Sequence, residues 1–230
     1  MLDRQLHAVQ ERIEQACDKI GRKSNEIELV LVTKGVESAR VKSVYDLGPR
    51  SFGENKVQEL TQKRELLPAD IKWHFIGHLQ TNKAKLLIKQ VVLIQSCDRI
   101  ELAQELQKQA EKAGEIVELL LQVNASGEST KHGFRPELVE QTVPKIKAFH
   151  RLKVRGLMTI GPNTKDEKQI RSAFSKLRNL QMNLRKQFSD LDWHYLSMGM
   201  SSDFEYAIEE GANLLRIGTA VFGERKELSS

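Results

Sequence analysis

Residues 27–55 read IELVLVTKGVESARVKSVYDLGPRSFGEN. The opening IELVLVTK is apolar and rich in β-branched residues, the composition of a strand covered on both faces. Ser38 is placed to cap a short helix carrying Val41, Val44 and Leu47, and Gly48 can close it. RSFGEN then reads as a short second strand. Parallel strands need a crossover of this kind, because a hairpin turn would reverse the chain.

The same alternation runs outward in both directions. Upstream, Leu2, Leu6, Val9, Ile13, Ala16 and Ile20 recur at spacings of four and three, an apolar stripe on a leading helix that Gly21 can end. Downstream, Val57 and Leu60 mark a helix, IKWHFIGH (71–78) a third strand, TNKAKLLIKQ (81–90) a helix and VVLIQS (91–96) a fourth strand. Asp98 reads as the cap of a long helix carrying Ile100, Leu102, Leu106 and Ala110, stopped by Gly114. EIVELLLQVN (115–124) is strand five, and RPELVEQTVPKIKAF (135–149) is helical in pattern, with Pro144 predicting a kink or a break. LKVRGLMTI (152–160), DWHYLSM (192–198) and NLLRIG (213–218) complete the strands. Between them lie a long amphipathic helix, residues 166–188, and the short helix DFEYAIEEG, residues 203–211. Eight strands alternating with helices in 230 residues predict an α/β fold, a single (β/α)8 TIM barrel over residues 1–230 with an extra N-terminal helix. A doubly wound open sheet is the competing reading of the same alternation.

Composition narrows the setting. Hydrophobic residues at 40% and charged residues at 29% fit a globular chain, and no run approaches a membrane span. The N-terminus carries charges throughout and lacks the apolar core of a secretory signal. Cys17 and Cys97 make neither a disulfide framework nor a metal-ligand spacing, which points to reduced thiols in the cytoplasm. The net charge of +5 suits an anionic ligand, but it forms no Lys/Arg block and has few aromatics beside it, which argues against a nucleic-acid surface. With no exposed apolar stripe in view, a monomer is expected.

Barrels of this kind place their active residues at the C-terminal ends of the strands. On this reading Lys34, Glu54, Asn55, His78, Ser96, Asn124, Met158, Thr159, Ser197, Met198 and Arg216 end successive strands and converge on one mouth. A lysine ending a central strand cannot easily reach bulk water past the loops. The loop SMGMSSD after strand seven offers Gly199 for close backbone approach and the hydroxyls of Ser201 and Ser202; Gly218 and Thr219 follow strand eight. Loops in these two places often bind phosphate. A lysine opposite a phosphate cradle, with Arg216 as partner for a ring nitrogen, meets the requirements of pyridoxal phosphate. A sugar-phosphate aldolase also needs lysine and phosphate, but has no use for a ring-nitrogen partner.

LVTKGV, FGENKVQEL, WHFIGHLQTNK, GLMTIGP, LSMGMSSDFEYAIEEG and LRIGTAVFGER together resemble the pyridoxal phosphate homeostasis proteins, called YggS in bacteria and PROSC in animals. The resemblance implies a barrel similar to the alanine racemase N-terminal domain, with pyridoxal 5′-phosphate as cofactor. It makes Lys34 the Schiff-base lysine, Ser201, Ser202, Gly218 and Thr219 phosphate ligands, and Arg216 the partner of the pyridine nitrogen. It makes Asn55 a ring-facing residue and has His78 and Met198 line the site. Where members of the family often have VSK, this chain has Val32-Thr33-Lys34. The family is associated with buffering the cofactor and supplying it to apo-enzymes, not with robust catalysis. KELSS is all that follows Arg225, whereas a racemase of this fold class draws a second acid/base group from an additional C-terminal domain. A carrier is therefore expected, with an amino-acid racemase or related pyridoxal enzyme as the alternative.

Overall fold

The computed structural model describes residues 1–224; Arg225 to Ser230, with the end of the last motif and the KELSS tail, lie outside the described residues. Helix α1 (Leu2–Asp18) precedes β1 (Glu28–Val32), α2 (Ser38–Tyr45), β2 (Ser51–Glu54), α3 (Val57–Leu66) and β3 (Lys72–Phe75). A 3₁₀ segment (Thr81–Leu86) leads to β4 (Leu93–Cys97), α4 (Ile100–Ala113), β5 (Val117–Gln122), α5 (Pro136–Lys147) and β6 (Leu152–Met158). Then come α6 (Glu167–Gln187), β7 (Tyr195–Ser197), α7 (Phe204–Glu209), β8 (Leu214–Ile217) and α8 (Thr219–Phe222). Every neighbouring pair of strands is parallel, and β8 pairs with β1, Arg216 beside Val30. The sheet closes into a barrel, which excludes the open doubly wound alternative.

Side chains alternate across the barrel wall. Leu31, Phe52, Trp73, Ile94, Leu121, Leu157 and Leu215 point outward into one large core shared with the helices. Val30, Leu93, Leu120, Met158 and Leu214 form a separate small cluster, the apolar plug inside the barrel. Each such buried aliphatic side chain contributes about 1.5–3 kcal/mol of burial. Alongside the plug runs a polar column. Arg216 donates to the Ser197 hydroxyl, Ser197 Oγ donates to Gln95 Oε1 (2.7 Å), and Gln95 Nε2 meets His74 Nδ1 (3.1 Å). His74 Nε2 then stands 3.5 Å from Glu28 Oε1 near the floor, where Glu28 also accepts from Ser51 (3.0 Å) and Tyr195 (3.1 Å).

The leading helix buries Leu6, Val9, Ile13 and Ala16, and packs against α7 and α8. Ile20 falls beyond its end and is 43% exposed. Arg12 pins the helix from outside, bonded to Glu205 (2.7 Å) and lying over the Phe204 ring. Four local expectations change. TNKAKLLIKQ winds as a short 3₁₀ segment, which covers ground faster per residue than an α-helix. Ser38 is the first residue of α2 rather than its cap, and Arg99, not Asp98, precedes α4. Helix α5 runs through Pro144 unbroken: the proline forfeits one hydrogen bond to the turn before it, while Val139, Val143 and Ile146 keep the helix seated. No helix among the described residues is long and apolar enough to cross a membrane.

Candidate functional site

The strand C-termini surround a cavity of about 840 Å³. Lys34, Asn55, His78, Ser201, Ser202, Arg216, Gly218 and Thr219 all line it. Met198 does not. It follows inward-facing Ser197, so strand alternation turns it into the outer core, fully buried, and Met200 lines the cavity instead. The lysine is also not opposite the loops after β7 and β8. Barrel order places β7, β8, β1 and β2 side by side, so Ser201, Arg216, Lys34 and Asn55 form one continuous arc.

Each member of the arc has a distinct setting. Arg216 is buried, with its guanidinium bonded to the Ser197 hydroxyl and the Thr159 carbonyl (2.7 Å). Both acceptors are uncharged. Burial draws its pKa down to about 10, opposed by the charge of Asp203, so it stays protonated at neutral pH. Ser201 Oγ accepts from the backbone N–H of Gly218 (3.3 Å) and of Ala220 (3.1 Å). Two amides and a hydroxyl thus converge where the loops after β7 and β8 meet, an arrangement suited to an anion. Buried Asn55 Oδ1 has no hydrogen-bond partner, and its backbone is pressed so closely on Gly77 that a Cβ there would lie 2.2 Å from the Asn55 carbonyl oxygen. Lys34 is exposed, so the loops do not keep it from water as its sequence position suggested: it sits two residues past β1, in a turn between this cavity and an adjoining groove lined by Gly35, Lys56 and Glu59.

The far wall was harder to foresee. His78 Nδ1 is 3.0 Å from Asp98 Oδ2, and the His78 ring stacks on that of His132 at 4.0 Å. Asp98 resembles a helix cap in sequence, but its carboxylate is spent on His78 and on Arg99 (2.5 Å). His132 and Lys131 belong to the loop after β5. Gln122 holds that loop by donating to the His132 carbonyl (2.9 Å), and Asn124 by donating to that of Glu128 (2.8 Å). Nothing local in sequence marks this loop, because its side chains reach the site through a long excursion. Other strand-end residues support the site from behind. Thr159 and Ser197 hold Arg216, Ser96 and Met158 are buried in the barrel, and Glu54 is buried beneath the Lys34 turn. Gly199 has φ +96°, and a Cβ would meet that of Ala207 at 2.7 Å. That glycine admits α7, not a ligand. Asp203 ties the same loop by accepting from the Met200 N–H (2.6 Å), and burial raises its pKa against that bond and the Arg216 charge.

An amine, a guanidinium whose direct acceptors are neutral, an amide cradle and an asparagine along one arc are suited to a flat, anionic ligand bearing a carbonyl. The alanine racemase N-terminal domain family matches residues 5–226. The pyridoxal phosphate homeostasis protein of Aquifex aeolicus is 45% identical over 222 residues, 96% of this chain and 97% of that protein. Among solved structures, PipY of Synechococcus elongatus with PLP bound is 32% identical, with a TM-score of 0.81 over 92% of this chain and 100% of that one. An alanine racemase of Clostridium difficile shares the fold at 15% identity and a TM-score of 0.77, covering 99% of this chain and 57% of that one.

Proposed function

The chain belongs to the pyridoxal phosphate homeostasis protein family, and from that premise we propose that it binds pyridoxal 5′-phosphate at the barrel mouth through Lys34 and serves the buffering and supply of that cofactor. The observation that carries the assignment of residues is the arc Ser201–Arg216–Lys34–Asn55 around one cavity. Ser201, with Ser202, Thr219 and the Gly218 and Ala220 amides, takes the phosphate. Arg216 donates to the pyridine nitrogen; its two direct acceptors, the Ser197 hydroxyl and the Thr159 carbonyl, are neutral, and Asp203 acts on its charge only from further off. Asn55 and His78, which line the cavity, face the ring. Lys34 would hold the cofactor covalently at its aldehyde group, with the carbonyl oxygen lost as water.

When bound, the cofactor supplies a ring that withdraws electrons from the attached carbon. An arginine is too basic to give up its proton, so Arg216 leaves the ring nitrogen unprotonated and moderates that withdrawal. This supports a carrier that hands its cofactor to apo-enzymes over a fast catalyst. The large apolar residues that are exposed, such as Leu47, Leu66, Leu138 and Met182, are scattered on separate elements, which supports a monomer. Cys17 and Cys97 are buried thiols, which supports work in the cytoplasm.

Borohydride reduction followed by peptide mass mapping tests the assignment. The adduct is expected on Lys34, and the colour of the loaded protein is expected to disappear in Lys34→Ala. An adduct found only on another lysine would sink it.

A further inference from the structure

Beneath the Lys34 turn lies buried charge that the cofactor reading does not use. Glu54, at the end of β2, is fully buried, and the Lys63 side chain on α3 is 5% exposed. Lys63 occupies the apolar face of α3 with Val57 and Leu60, where an aliphatic residue would be expected. Its Nζ donates to Glu54 Oε1 (2.5 Å), Glu59 Oε1 (2.8 Å) and the Thr33 carbonyl (2.6 Å). Glu59 Oε1 in turn accepts from the Gly35 N–H (2.6 Å). Thr33 Oγ1 donates to Glu54 Oε1 (2.6 Å), and Glu54 Oε2 accepts from the Asn55 N–H (3.2 Å).

The Thr33 carbonyl and the Gly35 N–H belong to the two peptide units on either side of Lys34. Both planes that set the φ and ψ of Lys34 are therefore held by side chains of α3. An ion pair taken out of water gains little over a well-packed apolar pair, so holding α3 on the barrel does not by itself explain the charges. What they do that an apolar pair cannot is bond to the backbone around one residue. We propose that Lys63, Glu59 and Glu54 are positioning residues that hold the Lys34 turn so that its amine meets the cofactor aldehyde. This rests on the reading of Lys34 as the cofactor lysine.

The test compares two probes, pyridoxal 5′-phosphate and pyridoxamine 5′-phosphate. They share ring and phosphate, but only the first can link to Lys34. In Glu59→Ala and Lys63→Met, affinity for the aldehyde is expected to fall about tenfold or more, because misplacing a reacting group is costly, while affinity for the amine changes by less than about twofold. Borohydride trapping on Lys34 should slow in parallel. Glu59→Gln keeps an acceptor for the Gly35 N–H and is expected to retain most of the wild-type ratio. Circular dichroism checks folding; Glu59 is partly exposed, so Glu59→Ala carries the test if Lys63→Met unfolds. Equal losses for both probes, or no loss for either, would overturn the proposal. Lys34→Ala separates the two ideas. If it leaves the ratio of affinities unchanged, the cofactor-lysine reading fails and this proposal with it. If it collapses the ratio while Glu59→Ala does not, only the positioning role fails.

Discussion

Ser201 has one side-chain oxygen and two backbone N–H donors aimed at it, from Gly218 and Ala220. Its hydroxyl thus joins two loops at the place proposed for the phosphate, with the exposed Thr219 side chain beside it. Hydrogen bonds to a charged group contribute about 1.5–3 kcal/mol each. The double variant Ser201→Ala/Thr219→Ala is therefore expected to weaken pyridoxal phosphate binding by about tenfold or more, while borohydride still traps the adduct on Lys34. Titration with pyridoxal, which lacks the phosphate, should show weak binding in both proteins; equal affinity for pyridoxal and its phosphate ester would refute phosphate anchoring. Arg216 was legible in sequence because few buried positions tolerate a charge without a ligand or a partner; Lys34 and Ser201 were legible from their places just after β1 and in the loop after β7, although Lys34 is exposed and Ser201 only half-buried. Whether Met198 or Met200 faces the cavity was not legible from residue type. It depends on the inward setting of Ser197, which is fixed only when Gln95 and Arg216 arrive from other strands.

At the scale of elements, the polar column makes a testable claim about the barrel floor. His74 beside it, with the Ser51 and Tyr195 hydroxyls, holds the Glu28 carboxyl down at about 2, against burial pushing the other way. A depressed carboxylate pKa stabilises the fold above the ordinary value of 4.5, and the contribution drains away as pH falls from 4.5 to about 2. Glu28→Gln should therefore melt a few degrees lower at pH 7, at about 2–4 °C per kcal/mol for a chain of this size. The gap between variant and wild type should close as the melts are repeated toward pH 2. A gap independent of pH would mean that packing, not charge, makes the difference. Gly77 makes a second claim. A Cβ at that position collides with the Asn55 backbone rather than with a flexible side-chain tip, so Gly77→Ala must push Asn55 away. Weaker binding of pyridoxamine 5′-phosphate, which reads ring contacts without the covalent link, is the expected result; unchanged binding would remove Asn55 from the ring face. The strands were legible because most of their residues are apolar, even though the inner face also carries His74, Gln95, Ser197 and Arg216. Caps were less so, since a serine or aspartate before a helix can turn to a tertiary partner, as Asp98 does toward His78 and Arg99.

For the whole molecule the decisive question is whether the barrel catalyses or carries. Racemising an amino acid requires a proton to leave one face of Cα and another to arrive at the opposite face. Lys34 can serve one face. Tyr45 lies outside on α2, bonded to Asp70 (2.7 Å), and Tyr206 on α7 stacks under Arg171. Tyr195 is at the barrel floor with Glu28, its pKa raised to about 12 by burial and by that carboxylate. None of the three lines the cavity. Among the described residues the far wall offers two imidazoles and the Lys131 amine, but His78 is already bonded to Asp98 and stacked on His132, and Lys131 donates to Glu128 (2.8 Å) and to the Gly161 carbonyl (2.5 Å). A missing general acid or base costs about 10²–10⁴ in rate. Chiral analysis of alanine, serine and other amino acids incubated with the loaded protein should show only trace racemisation, and His78→Asn should abolish what little there is. In the same preparation, a pyridoxal-dependent apo-enzyme should gain activity as the barrel loses its colour. A turnover near the enzyme median of about 10 s⁻¹, absent in Lys34→Ala, would make this barrel an enzyme rather than a carrier.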